Sequence, residues 1–284
     1  MLYYYFASFI KKCLNKLTRP NEFHHVSWKE LIFYTVRQAY HTYKKTYKKS
    51  LSTYRYYDEN TTALDTPYGI IYVPRSVDAV ELHYLMREAF DKKHWHQYDT
   101  QWTPVEPNDT VVDCGSSEGL WACSIVNRAG KLYLIEPQEA FAKALEKTFL
   151  SHIINKKVII LKCAVGSFDG TCRVLQQHDA DILSTVIPDE HSTIPMYRID
   201  TLFDKTPVNF IKADVEGFEM ELLCGAREVI KRDKPKMAIT VYHESNNWKE
   251  LRDYVTYLVP SYQWKLKGMV EQGKPLMLHM WAHK

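Results

Sequence analysis

Hydrophobic positions along the chain follow two periods, and the changes between them mark the elements. Leu2, Phe6, Phe9, Ile10, Cys13 and Leu17 recur at helical spacing, with Lys11, Lys12, Asn15 and Lys16 on other faces. This predicts an amphipathic helix, ended by Arg19-Pro20-Asn21. Ser27-Trp28-Lys29-Glu30 has capping-box spacing, and Ile32, Val36, Tyr40, Tyr43 and Tyr47 form a stripe behind it, so a second helix is expected. Turn chemistry at residues 66–69 leads into a short strand over 70–73 and a helical period over 77–90.

From Thr110 onward, short β-branched runs alternate with helical stretches. Strands are predicted at 111–112, 134–135, 158–161, 208–214 and 237–244, and helices over 118–127, 138–150, 219–230 and 246–258. A weaker strand over 262–266 and a final one over 276–282 follow. Runs that are apolar on both sides belong in a parallel sheet covered by helices, so the pattern predicts an α/β fold with an open, mostly parallel sheet. In such sheets ligands bind beyond the carboxyl ends of the strands. Residues 164–200 break the alternation with short β-like pieces at 171–175 and 182–187 before 197–202, which reads as a hairpin excursion beside the site.

Charge adds a division. Residues 1–57 hold 11 Lys or Arg against Glu22 and Glu30, and 10 of the 20 tyrosines, while the rest of the chain is net acidic. Three parts are therefore expected: a basic, Tyr-rich helical extension over 1–57, a leading strand and helix over 58–107, and the main domain over 108–284. The basic amphipathic start over 1–17 suits an anionic membrane surface, but docking on its own domain or on a twin subunit is the expected role. Lys44, Lys45, Lys48 and Lys49 among tyrosines have the composition of a nucleic-acid contact, yet a solvated face is expected there. The six cysteines form no CxxC pair, which argues against zinc or a disulfide framework and fits a reducing, cytoplasmic compartment. No cleavable signal and no bilayer-length apolar run are read.

The chemistry concentrates at strand ends. Asp113-Cys114-Gly115-Ser116-Ser117-Glu118-Gly119 is a small-residue loop after a strand, with glycines expected to let backbone approach a ligand. Glu136, before Pro137, ends the next strand, where an acid can hold ribose hydroxyls. The spacing is not the GxGxxG of dinucleotide binders. Further along, Asp214 and Glu216 follow one strand and His243 and Glu244 close the next, all on the ligand side of the sheet. These acids have an alternative role as loop and helix caps. Such a cluster could also hold a magnesium or calcium ion that fixes a diol, though no metal ligand is assigned. His94, Trp95, His96 and Trp102 fall in a polar stretch and are expected to be surface or lid residues, His-x-His lacking a partner acid.

The Asp-x-Gly-x-x-x-Gly loop followed by Glu136 is similar to the S-adenosylmethionine site of class I methyltransferases. The run 212–219, Lys-Ala-Asp-Val-Glu-Gly-Phe-Glu, together with 199–202, Glu136-Pro137 and 164–166, resembles the FkbM family over residues 66–284. The resemblance implies a Rossmann-like seven-stranded sheet with an antiparallel last strand and S-adenosylmethionine as cofactor. It also implies methyl transfer to a hydroxyl, often on a sugar, glycan or secondary metabolite. Asp113, Gly115, Ser116, Ser117, Glu118 and Gly119 would then shape the methionine end, Glu136 and Pro137 would hold ribose, and Ala164 and Val165 would flank adenine. The candidate catalytic groups are Lys212, Asp214, Glu216, His243 and Glu244. This chain departs from the family at Ser116–Glu118 and at Phe218, which would narrow the acceptor pocket. An RNA methyltransferase and a non-catalytic, membrane-associated cofactor-binding protein are the competing readings; nucleic acid is not the expected partner.

Overall fold

The computed structural model describes residues 2–20, 23–43, 54–175, 184–243, 245 and 247–282. Two helices open the chain, α1 (Leu2–Thr18) and α2 (Trp28–Tyr43). The predicted cap of α2 is present, with the Glu30 N–H donating to Ser27 Oγ at 3.0 Å. An antiparallel meander follows: β1 (Tyr54–Tyr56), β2 (Thr61–Thr66) and β3 (Gly69–Pro74). Because β1 pairs with β2, the change of composition near Asp58 falls inside this small sheet. Helix α3 (Ala79–Phe90) leads into the main domain.

There β4 (Thr110–Cys114), α4 (Leu120–Ile125), β5 (Lys131–Ile135), α5 (Glu139–Thr148), α6 (Leu150–Ile154) and β6 (Val158–Leu161) form the first half. The excursion contains β7 (Ala164–Val165), β8 (Gly170–Leu175), β9 (Thr185–Pro188) and β10 (Ile194–Tyr197). These four make their own sheet, and the piece expected over 197–202 is instead the end of β10 plus the single turn α7 (Ile199–Leu202). The second half holds β11 (Phe210–Ala213), α8 (Glu219–Gly225), α9 (Arg227–Asp233), β12 (Lys236–Thr240), α10 (Trp248–Leu258), β13 (Tyr262–Met269) and β14 (Pro275–Ala282).

The main sheet runs β13-β14-β12-β11-β4-β5-β6. β12, β11, β4, β5 and β6 are mutually parallel, and β14 is antiparallel to both β12 and β13. The last strand is therefore the one that runs against the rest, as the resemblance implied. Both faces are buried. Val111, Leu132, Leu134 and Phe210 pack with residues of α4 and α5, while Val112, Ile135, Ile211 and Ile239 pack with residues of α8, α9 and α10. Each such side chain contributes roughly 1.5–3 kcal/mol, which is why these strands read as continuous apolar runs.

The two N-terminal helices dock on the domain. Phe23, Val26, Leu31 and Tyr34 form a cluster with Trp95 and Met269, with Phe9 and Cys13 packed against it. Tyr34 stacks on Trp95 with centroids 3.7 Å apart, and Arg37 grips Asp91 in a two-pronged ion pair. His94, Trp95 and His96 are consequently buried rather than surface residues. Local polarity suggested otherwise, since the covering helices lie some 60 residues away in sequence. Among the described residues no helix is long and apolar enough to cross a membrane.

Candidate active site

The site lies at the carboxyl ends of β4, β5, β11 and β12. A cleft with a cavity volume of about 120 Å³ opens there. One side of it is the loop after β4. The Gly115 and Ser116 N–H groups both donate to Ile135 O at 3.1 Å, and the Ser117 N–H donates to Glu136 Oε2 at 2.9 Å. A Cβ on Gly115 (φ 75°) would lie 1.9 Å from Asp214 O, and one on Gly119 would lie 2.6 Å from Leu145 Cδ2. Both bare Cα atoms let protein pack closely; Gly115 is also on the cleft wall, whereas Gly119 is not. Ser116, Ser117 and Glu118 are on it.

Glu136, Pro137, Ala164 and Val165 form the second side with Ile135, Gln138 and Ser184. Glu136 is buried and also accepts the Gln138 N–H at 2.9 Å through Oε1. Burial pushes its carboxyl up to about 7, against those backbone N–H groups and the Lys212 charge. Gln138 Nε2 donates to Ser184 Oγ at 2.7 Å, so the excursion closes over this side, as expected from its place in the sequence. Phe218, expected to narrow the pocket, instead packs with Ala164, Cys172 and Met196.

The third side carries the acids. Tyr98 Oη donates to Asp214 Oδ2 at 2.5 Å and Thr240 Oγ1 donates to Asp214 Oδ1 at 3.0 Å. Burial alone would raise the Asp214 pKa, but Lys212, His96 and His243 together hold it below the usual carboxylate range. His243 Nδ1 lies 2.9 Å from Glu219 Oε1, while Nε2 lies 3.3 Å from Glu216 Oε2 and 3.9 Å from Asp214 Oδ1. Burial opposes its charge, yet the carboxylates of Glu216, Glu219 and Asp214 lift its pKa to about 10. Glu216, with φ 53°, sits in a left-handed turn whose strain the surrounding loop must hold.

Lys212 is a buried strut. Its Nζ lies 3.0 Å from Asp113 Oδ1 and donates to Gly115 O, joining the strand beneath the acids to the loop after β4. Burial favours the neutral amine, but Asp113 and Asp214 outweigh it and raise the Lys212 pKa. Its geometry is that of a positioning residue.

Of the expected site residues, Asp113, Gly115, Ser116, Ser117, Glu118, Glu136, Pro137, Ala164, Val165, Lys212, Asp214 and Glu216 line one cleft. His243 stands behind Asp214 and Glu216, and Glu244 lies outside the described residues. Glu88, His96 and Tyr98 also line the cleft and were not anticipated. His96 Nδ1 lies 2.9 Å from Glu88 Oε2, and only a histidine beside aromatics in residues 94–98 hints at them. Glu219 was visible as the last acid of the 212–219 run.

The residues fit S-adenosylmethionine. Each Glu136 oxygen takes one N–H and keeps a lone pair for a ribose hydroxyl, and Ile135, Pro137, Ala164 and Val165 offer apolar flanks for a base. Ser117 Oγ and Trp121 Nε1, both in wall residues, are buried and make no hydrogen bond within the described residues. Numbering the main strands along the chain, their order 3-2-1-4-5-7-6 and an acid ending the second define the class I methyltransferase fold.

Residues 113–263 match the methyltransferase FkbM domain. The chain belongs to this methyltransferase family, and its cofactor is the family's S-adenosylmethionine. It is similar to a methyltransferase FkbM from Methylobacillus flagellatus, at 22% identity over 71% of this chain and TM-score 0.49. The chain spans 54% of that protein's length. It is also similar to an rRNA methylase from Streptococcus thermophilus, at 14% identity over 72% of this chain and 96% of that one, TM-score 0.40. A third likeness is to Aeropyrum pernix fibrillarin with natively bound S-adenosyl-L-methionine, at 10% identity over 81% and 97%, TM-score 0.40. No curated protein matches the sequence.

Proposed function

We propose that the protein methylates a hydroxyl of a polyhydroxyl acceptor, a glycan or a secondary metabolite. The observation that carries this reading is the place of Asp214. Its backbone touches Gly115 in the cofactor-side loop, and its carboxylate faces the same cleft. Bound S-adenosylmethionine would supply an electrophilic methyl group and leave as the neutral thioether when an acceptor oxygen takes that methyl. Asp214, fixed by the Tyr98 and Thr240 hydroxyls, orients the acceptor hydroxyl by accepting its hydrogen bond. As the new O–C bond forms that proton becomes strongly acidic, so a carboxylate suffices to take it. Glu88, His96 and Glu216 provide further polar contacts for neighbouring hydroxyls. Holding the oxygen in line supplies much of the rate.

The test is S-adenosylhomocysteine release with a panel of sugars and glycosides. Turnover with a hydroxyl acceptor, lowered about 10²–10⁴-fold in Asp214→Ala, supports the reading. Turnover confined to RNA or to amine acceptors overturns it. The RNA alternative rests on Lys44–Lys49, which lie outside the described residues.

We further propose that the protein works at an anionic membrane surface. On α1, Phe6, Ile10, Leu14 and Leu17 are 63%, 41%, 55% and 64% exposed at i, i+4, i+8 and i+11. Exposed Lys11 and Arg19 belong to the same helix and its end, which suits acidic headgroups. Co-sedimentation with phosphatidylserine vesicles should be lost in Phe6→Glu/Leu14→Glu. Equal sedimentation of that variant, or self-association through this stripe in sedimentation velocity, refutes the proposal.

A further inference from the structure

We propose that Asp214, Glu216 and His243 form a binding site for a divalent cation of the magnesium–manganese class, which holds two adjacent hydroxyls of the acceptor. The inference rests on the hydroxyl-methylating reading above for its substrate, but not for the ion.

Geometry comes first. One oxygen of Asp214, one of Glu216 and a ring nitrogen of His243 all lie within 4.8 Å of one another. Ligands about 2.1 Å from a common ion are at most about 4.2 Å apart. The two separations from His243 Nε2, 3.3 Å to Glu216 and 3.9 Å to Asp214, are inside that span. Closing the group around an ion therefore needs only small side-chain movements. Two carboxylate oxygens and one imidazole nitrogen suit manganese or magnesium better than a soft metal, because no thiolate is present.

The second observation is independent of the acids. The His243 side chain is 9% exposed, and its Nε2 is buried and makes no hydrogen bond of acceptable geometry. Its other nitrogen is committed: Nδ1–H donates to Glu219 Oε1, an oxygen of a fully buried carboxylate that also accepts the Val215 N–H at 3.1 Å. This fixes the ring and points Nε2 at Asp214 and Glu216. A carboxylate behind an imidazole whose far nitrogen faces two more carboxylates is the usual outer shell of a metal-bound histidine. Tyr98 and Thr240 hold Asp214 in the same way.

The placement gives the ion a task. Asp214 and Glu216 line the cleft while His243 lies behind them, so the remaining coordination positions face the space where an acceptor must lie. Two neighbouring hydroxyls and a water would complete an octahedral shell. This would select vicinal diols, as found on sugars, over isolated alcohols.

The full-length protein, freed of metal with a chelator, is titrated with Mn²⁺ while the spin resonance signal of the free ion is followed. One ion per chain is expected, with affinity reduced at least 100-fold in Glu216→Gln and His243→Ala, and 10- to 100-fold in Glu219→Gln. Electron spin echo of the bound ion should show coupling to an imidazole ¹⁴N that His243→Ala removes. No bound ion, or binding with no nitrogen coupling in the unaltered chain, overturns the proposal without needing any variant to fold. S-adenosylhomocysteine binding measured by calorimetry in the chelator should persist. Its persistence beside absent Mn²⁺ binding sinks the ion alone, whereas its loss sinks the methyltransferase reading.

Discussion

Glu136 couples cofactor affinity to proton concentration in a way that can be calculated. Its ordinary pKa is 4.5, and burial raises it to about 7 in the folded protein. An acid with a raised folded pKa keeps its proton after the unfolded chain has lost it, so stability falls as pH rises from 4.5 to 7. Over that window the loss is about 3 kcal/mol, at roughly 1.4 kcal/mol per pH unit. Ribose hydroxyls favour the ionised form, so cofactor affinity should rise with pH and level off above about 7. Glu136→Gln removes the ionisation. It also offers an amide NH₂ to one of the two N–H groups, from Ser117 and Gln138, that the carboxylate now satisfies. Losing a charge-assisted bond costs roughly 1.5–3 kcal/mol, which weakens binding about 10- to 150-fold at pH 8. Urea midpoints from pH 5 to 8.5 for both proteins, with calorimetry of S-adenosylhomocysteine across the same range, provide the measurement. The difference in stability between the two proteins isolates Glu136 from every other titrating group. If the two curves run parallel, or affinity in the original protein does not change between pH 5.5 and 7.5, the reasoning is wrong.

Three further outcomes follow from the packing. Lys212→Met leaves Asp113 buried without its cation, a change that costs roughly 3–5 kcal/mol, and Lys212→Met/Asp113→Asn should recover much of it in thermal denaturation. Equal melting of the single variant and the parent would show that the pair is not a structural strut. Gly115→Ala drives a Cβ to 1.9 Å from Asp214 O at a φ of 75°, so cofactor binding should be abolished by calorimetry, whereas an unaltered affinity would contradict the contact. Trp95→Ala removes the ring on which Tyr34 stacks and should expose α1 and α2 to limited proteolysis while the domain from residue 108 onward stays resistant. Uniform resistance would mean that these helices are held elsewhere.

The strands were legible where burial on both faces leaves mostly apolar runs, as in Phe210–Ala213 and 237–241, and illegible where pairing rather than hydropathy makes the strand. β1, β2 and β10 are short, mixed in polarity and defined by partners, so nothing in their own residues announces them. The same limit applied to the site. Glu136 and Asp214 end strong strands and could be placed by counting, but His96 and Tyr98 reach the cleft only because α1 and α2 cover the neighbouring His94 and Trp95. A contact that spans 60 residues or more has no local signature. Glu219 was visible in a motif, yet its work of holding His243 depends on β12 ending at Thr240, three residues before the histidine and earlier than the apolar run suggested.

The two signatures that stood apart in the sequence, residues 113–119 and residues 212–219, are one interlocked unit. β4 and β11 are adjacent, with Asp113 opposite Lys212 and Cys114 opposite Ala213. Lys212 ties Asp113 to Gly115 O, and the bare Cα of Gly115 lets the Asp214 carbonyl close onto the loop. An aspartate or lysine change would leave a buried charge, and a side chain at Gly115 would push Asp214 away from the cofactor side. The glycine thus sets the distance between the loop after β4 and the carboxylate that meets the acceptor. The N–H groups of Ser116 and Ser117 hold that loop to Ile135 and Glu136, and Ser116 Oγ braces it from within by donating to Asp113 O at 2.9 Å.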